Sequence, residues 1–295
     1  MSVLTTVEAV PNRLRLFFDF LSGKLKGEDP DRMQALLSPS ALQTKELAPE
    51  SSDQSPSGVY QNPLREAIRL QIAKIVDGKI VGPEFSDGKQ SFADWIEPRL
   101  LRKHEAEQHG QRWVPYAFAW LLMQSPLRPL PFGENYSPRI ERDFGPAYEC
   151  FDLKSKERFQ NLGYWACHLG YGTFLADRAL IPDPTPALMS KLSIVFNGNS
   201  DLRIGDFMSA LAEQVSVFEG GAVREELEAV LAKQRGAREE QRLSQATSLA
   251  LLRLESRGAI TLRELSDAAV RILDLGASGT RRVSHITYAK NEVPR

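Results

Sequence analysis

The chain has 295 residues, of which 42% are hydrophobic and 25% charged, with a formal net charge of −1. That composition excludes wholesale disorder and suggests two or three domains. The charge balance excludes a global basic field, so any contact with nucleic acid must come from a local patch.

The first stretch, MSVLTTVEAVPNRLRLFFDFL, has no basic flank and soon meets Pro11, Arg13, Arg15 and Asp19, so no signal peptide is predicted. Asn12 to Leu25 is predicted as a helix: Leu14, Phe17, Phe18 and Leu21 form one apolar face, and Asn12 is the expected cap. A second short helix is expected after Asp29-Pro30, carrying Met33, Leu36 and Leu37. Thr44 to Gly58 (TKELAPESSDQSPSG) has almost no apolar residues and is predicted as a mobile loop. A third helix is expected from Asn62, with Leu64, Ala67, Ile68, Ile72 and Ile75 as its stripe. Asp77-Gly78 then turns a hairpin between two Ile-Val pairs, because this dipeptide suits the positive φ angles of such turns. Three helices and a hairpin predict a winged helix-turn-helix over residues 1–90.

Residues 91–235 read as a helical domain, with helices predicted at Phe92–Gln108, Gln111–Gln124, Ser155–Gly170, Pro186–Phe196, Ile204–Phe218 and Ala222–Gln234. The most apolar run, Trp113 to Met123, is too short to span a bilayer. It reads as a buried helix, and no membrane association is expected. The proline-rich stretch Ser125 to Tyr148 reads as a surface wrap pinned by Phe132, Tyr136 and Phe144, or as a domain joint. In LIPDPTPAL, Leu180 to Leu188, Thr185 is the expected cap and Pro186 the first helical residue.

Residues 236–295 read as a second winged-helix-like module. A helix is expected from Thr247 to Arg257, stopped by Gly258. Thr261 to Glu264 carries a capping-box signature for another short helix. AVRILDL and RRVSHITY then flank a Gly-rich turn as a hairpin. The third helix of this module is missing or fused into the hairpin. The fold class expected is therefore mainly α with small β-hairpins.

Chemistry-bearing clusters are few. Arg65 and Arg69 lie four apart beside the first hairpin, with Lys79 on it. Arg281, Arg282, His285 and Lys290 bunch on the second hairpin and tail. Guanidinium groups fork onto phosphates or guanine edges, so these seven residues are the expected duplex-DNA contacts. Ordinary surface ion pairing is the competing reading, because residues 1–90 carry eleven Lys and Arg against twelve Asp and Glu. The aromatic residues of the middle block, Trp113 and Tyr164 among them, sit at helical spacing and read as core. His104 and His109, or Cys150, Cys167 and His168, do not match zinc-ligand spacing. No metal and no cofactor is expected, and two cysteines fit a reducing cytoplasm. Glu149, Asp152 and Lys154 resemble a fragment of a metal-dependent nuclease site, without the upstream acidic strand that chemistry needs. No Gly-Lys-Ser/Thr phosphate loop is present.

At FQNLGYWACHLGYGTF, LIPDPTPAL and FEGGAVREELEAVL, and again at REAIRLQIAKIVDGKIVGPE, the chain resembles the DpdG family. The resemblance implies a bacterial gene cluster that places 7-deazaguanine derivatives in DNA and restricts unmodified DNA. It transfers no active residues. The function expected is a non-catalytic DNA-binding or adaptor subunit of such a system, with duplex DNA and other proteins of the cluster as partners. A protein-interaction subunit without DNA contact, a transcription regulator and a metal-dependent nuclease are the alternatives.

Overall fold

The structure is a computed structural model and describes residues 2–24, 26–39, 58–84, 90–146, 151, 153–176, 178–235, 239 and 241–289. The predicted loop at Thr44 therefore lies outside the described residues up to position 57. The fold is mainly helical, with small antiparallel sheets.

The N-terminal part starts with a turn-rich segment that is fastened to the middle of the chain. Asn161 Nδ2 donates to the carbonyls of Val3 at 3.1 Å and Thr6 at 3.0 Å, and Trp165 Nε1 donates to that of Ala9 at 3.0 Å. Helix α1 (Pro11–Ser22) buries Leu14, Phe17, Phe18 and Leu21, as their spacing predicts. Its cap is not Asn12: the helix starts at Pro11 behind Val10, whose side chain makes no capping bond. Proline can occupy that position because its missing N–H had no partner to lose. Helix α2 (Pro30–Leu37) is capped by Asp29, which accepts from the N–H groups of Asp31 and Arg32.

Helix α3 (Gly58–Arg69) begins four residues before Asn62 and ends earlier than its predicted stripe. Gln71 takes a φ of +56°, so Ile72 is buried from a loop and Ile75 falls on the hairpin, 64% exposed. The hairpin joins β1 (Lys74–Val76) to β2 (Lys79–Val81) in the register Ile75 to Ile80. Asp77 and Gly78 both have positive φ, +49° and +75°, as a type I′ turn requires. Glu28 and Ile80 exchange backbone hydrogen bonds of 2.8 and 2.9 Å. A third strip is thus added, in the order Glu28, β2, β1.

In the middle, the predicted Phe92–Gln108 helix is two helices, α4 (Phe92–Leu101) and α5 (Lys103–Gln108), broken at an extended Arg102. Helix α6 (Val114–Leu122) is buried at every position and forms the centre of the core. β3 (Leu130–Pro131) and α7 (Ser137–Phe144) make up the proline-rich wrap, with Tyr136 and Phe144 buried and Phe132 half-buried. Helix α8 (Lys156–Leu169) leads into β4 (Gly172–Leu175) and β5 (Ala179–Pro182), giving a sheet of order β3-β5-β4.

The last part contains α9 (Thr185–Phe196), β6 (Asp201–Arg203), α10 (Ile204–Gln214), α11 (Ala222–Arg235) and α12 (Gln245–Ser256). It ends with β7 (Ile260–Arg263), β8 (Arg271–Asp274), β9 (Thr280–Val283) and β10 (His285–Tyr288). Three sequence expectations differ from the structure. Thr261 to Glu264 does not open a helix: its first three residues belong to β7, where Ile260 and Leu262 point inward alternately with exposed neighbours. The core contact of a period-two pattern outweighs the local capping propensity. RRVSHITY is not one strand. Buried Ser284 breaks it, so that β9 pairs with β8 while β10 lies between β6 and β7. Thr185 does not cap α9 either; it donates its N–H, at 3.1 Å, and its hydroxyl to Asp183 Oδ1. Among the described residues no helix is long and apolar enough to cross a membrane.

Candidate functional site

The exposed hairpin and the helix before it, α3, form the first candidate surface. Pro63, Glu66, Ala67 and Leu70 follow helical spacing on the buried side. Glu66 is 1% exposed, and its carboxylate is a hub. It accepts from Arg69 Nη1 at 2.7 Å, Gln111 Nε2 at 3.2 Å and the Thr6 hydroxyl at 3.3 Å. Gln111 in turn accepts the Val3 N–H at 2.9 Å. Arg69 is held further: its carbonyl meets His109 Nδ1 at 3.0 Å, and its side chain runs over Gly110, where a Cβ would stand 2.9 Å from Cδ. Along α3 only Arg65 is exposed.

The hairpin itself is open. Ile75 and Val76 present large apolar surface. Lys74 pairs with Glu84, whose carboxyl that hydrogen bond holds below its ordinary range. Lys79 is exposed, and neither it nor Arg65 has an ion-pair or side-chain hydrogen-bond partner among the described residues.

The second cluster is engaged within the fold. Arg281 grips Glu255 with both terminal nitrogens and donates to the Leu262 carbonyl at 3.0 Å. Arg282 Nε lies 2.9 Å from Glu264. His285 is half-buried, with Nδ1 3.0 Å from the Ser284 hydroxyl. Lys290 lies outside the described residues. Helix α12, which packs against this sheet, has no exposed residue from Gln245 to Glu255. It lies against α9 and β8, and Arg253 is tied to Asp183.

The other sequence candidates are dispersed. Glu149, Asp152 and Cys150 lie outside the described residues, and Lys154 is exposed between them and α8. Burial pushes the Cys167 thiol up to about 12. The neighbouring His168 ring sits 5.3 Å from Phe92 and 6.1 Å from Trp165, and burial followed by the charge of Arg15 lowers its pKa. Among the described residues no group of three or more His, Cys, Asp and Glu side chains is arranged to hold a metal ion. Most of the middle aromatics are core, Trp120 and Trp165 fully so. Tyr164 is the exception, 42% exposed beside Phe132 and Phe174.

Composition counts Glu66 as one more surface charge, but its spacing from Pro63 and Leu70 is the signal that places it on the buried face. The covering of α12 has no such signal, because it comes from α9 and β8, which lie outside any local pattern of the helix.

No curated protein and no solved structure matches the chain. A family model described as DpdG-like matches residues 1–268, ending just before β8. The chain therefore belongs to the DpdG-like family, which places it in the setting of 7-deazaguanine DNA modification.

Proposed function

We propose that this chain is a non-catalytic adaptor of that DNA-modification system, built from two winged-helix modules that dock partner proteins. The wiring of the two ends supports the modules. From α1 the order is helix, Glu28 strip, helix, helix, hairpin, with the last strand central. From α9 the order is helix, β6, α10, then α12, β7 and β10, again with the last strand central. In this reading the second module starts at α9, takes α11 as an insertion, and carries β8 and β9 as an enlarged wing.

One observation carries the adaptor role. A winged helix that reads DNA lays an exposed third helix in the major groove. Here neither third helix offers an exposed face: along α3 only Arg65 is exposed, and α12 lies under α9 and β8 with no exposed residue from Gln245 to Glu255. What remains outside is an apolar hairpin, and exposed aliphatic residues on a strand edge favour a protein partner. The test is co-purification from the native cell with nuclease present. Products of the same gene cluster should follow the wild-type chain and be lost from an Ile75→Asp, Val76→Asp variant that keeps its wild-type Tm. Retention by that variant would refute the hairpin as the docking surface.

A second reading, duplex DNA contact, is favoured by the openness of Arg65 and Lys79. It predicts DNA affinity that falls steeply with salt and is lost on Arg65→Glu, Lys79→Glu.

A further inference from the structure

The sheet β6–β10–β7 has one face in the core and one face open. Leu202, Ile286 and Leu262 fill the inner side. On the outer side the register lines up a basic row: His285 of β10 lies opposite Arg203 of β6 and opposite Arg263 of β7, and cross-strand partners share a face. Two residues along the strands, Asp201, Thr287 and Thr261 form a second row on the same side. Both arginines, Asp201 and Thr261 are exposed, and His285 and Thr287 are half-buried.

Asp201 is the carboxylate of the two rows, and it is already engaged. It accepts from Arg263 Nη2 and, at 2.7 Å, from the Thr287 hydroxyl. Arg203 has no ion pair or side-chain hydrogen bond among the described residues, although Asp206 follows in the first turn of α10. His285 places Nδ1 3.0 Å from the Ser284 hydroxyl, and its Nε2 has no partner among the described residues. The face therefore keeps a free guanidinium, an open imidazole nitrogen and a second guanidinium that a single carboxylate holds.

Neighbouring strands stand about 4.8 Å apart, so the basic row spans roughly 10 Å at its base. Guanidinium groups fork onto phosphate oxygens, and hydroxyls beside them add neutral donors. Neither row contains an aromatic ring on which an unpaired base could stack. That favours phosphates whose bases are paired and turned away. We propose that this face binds the phosphodiester backbone of duplex DNA without reading its sequence, with Arg203 as the principal contact and Arg263 and His285 beside it. The face lies at the other end of the chain from the first hairpin and does not depend on the adaptor reading.

The test is fluorescence anisotropy of the full chain with a labelled duplex between 50 and 200 mM salt. Contact with about three phosphates should give a slope of about −3 in log affinity against log salt. Arg203→Ala, at an exposed and unpaired position, should reduce that slope by about 1 and weaken binding about tenfold at 50 mM salt. Asp201→Asn removes the negative charge and frees Arg263, and should tighten binding about tenfold, a gain that a misfolded variant cannot give. Absence of duplex binding by the wild-type chain at 50 mM salt, or unchanged affinity in either variant, would overturn the proposal. A loss confined to Arg65→Glu, Lys79→Glu would also overturn it, by assigning the contact to the hairpin. So would displacement of the duplex by polyglutamate at equal charge, which would make the face a dock for an acidic protein.

Discussion

The seating of α3 against the core hangs on one carboxylate, and Glu66→Ala is the sharpest test of it. In the folded chain Glu66 is 1% exposed and has three donors around it. Removing it takes an anionic acceptor from Arg69, one of two acceptors from the Gln111 amide, and the acceptor of the Thr6 hydroxyl. Breaking a fully buried pair costs about 3–5 kcal/mol. The Arg69 side chain is 36% exposed, so water recovers part of that, and the 3.3 Å bond to Thr6 is weak. A loss of about 3 kcal/mol is the expected sum. At roughly 2–4 °C per kcal/mol for a chain above 150 residues, Tm should fall by about 6–12 °C. Glu66→Gln keeps the shape and one acceptor and should cost about half as much. Thermal unfolding followed by far-UV circular dichroism at neutral pH measures both. A change below about 0.5 kcal/mol, the scatter of ordinary surface substitutions, would mean that the hub does not hold α3.

Two further outcomes follow, one from buried Asp183 and one from half-buried Cys167. Asp183 is 5% exposed, holds both the N–H and the hydroxyl of Thr185 and pairs with Arg253. Asp183→Ala should cost about 2–3 kcal/mol in urea unfolding and Asp183→Asn about 1, because the amide oxygen still accepts from the Thr185 N–H. Cys167, with its thiol pushed up to about 12, stays protonated at pH 9.5, where an ordinary thiol is mostly thiolate. Iodoacetamide should therefore label it, in a Cys150→Ser background, roughly a hundredfold more slowly than the urea-unfolded chain. Equal rates would refute its burial.

Much of the helical skeleton was legible from local spacing. Leu14, Phe17, Phe18 and Leu21 mark the buried face of α1, Asp29-Pro30 starts α2, and the run from Val114 to Leu122 could only be interior. The Asp77-Gly78 turn was equally plain, because its backbone requirement is met by two adjacent residues. Where local signals competed with distant contacts they failed. The capping-box residues Thr261 to Arg263 became a strand because β10 offered a ladder and the core took Leu262. The candidate arginines were legible as charges but not as free or engaged. Arg281 is neutralised by Glu255, 26 residues away, and Arg69 by a carboxylate that Gln111 also holds.

The sequence by itself determined which segments would coil, where the first hairpin turns and that the chain is mainly helical, since these follow from side-chain periodicity and φ preferences within a few residues. Only the tertiary structure decided that β10 completes a sheet begun at β6, that α12 lies covered by α9 and β8, and that Glu66 is buried among donors from two other parts of the chain. Each depends on groups far apart in sequence being brought within a few ångströms, and no pattern along the chain encodes that distance.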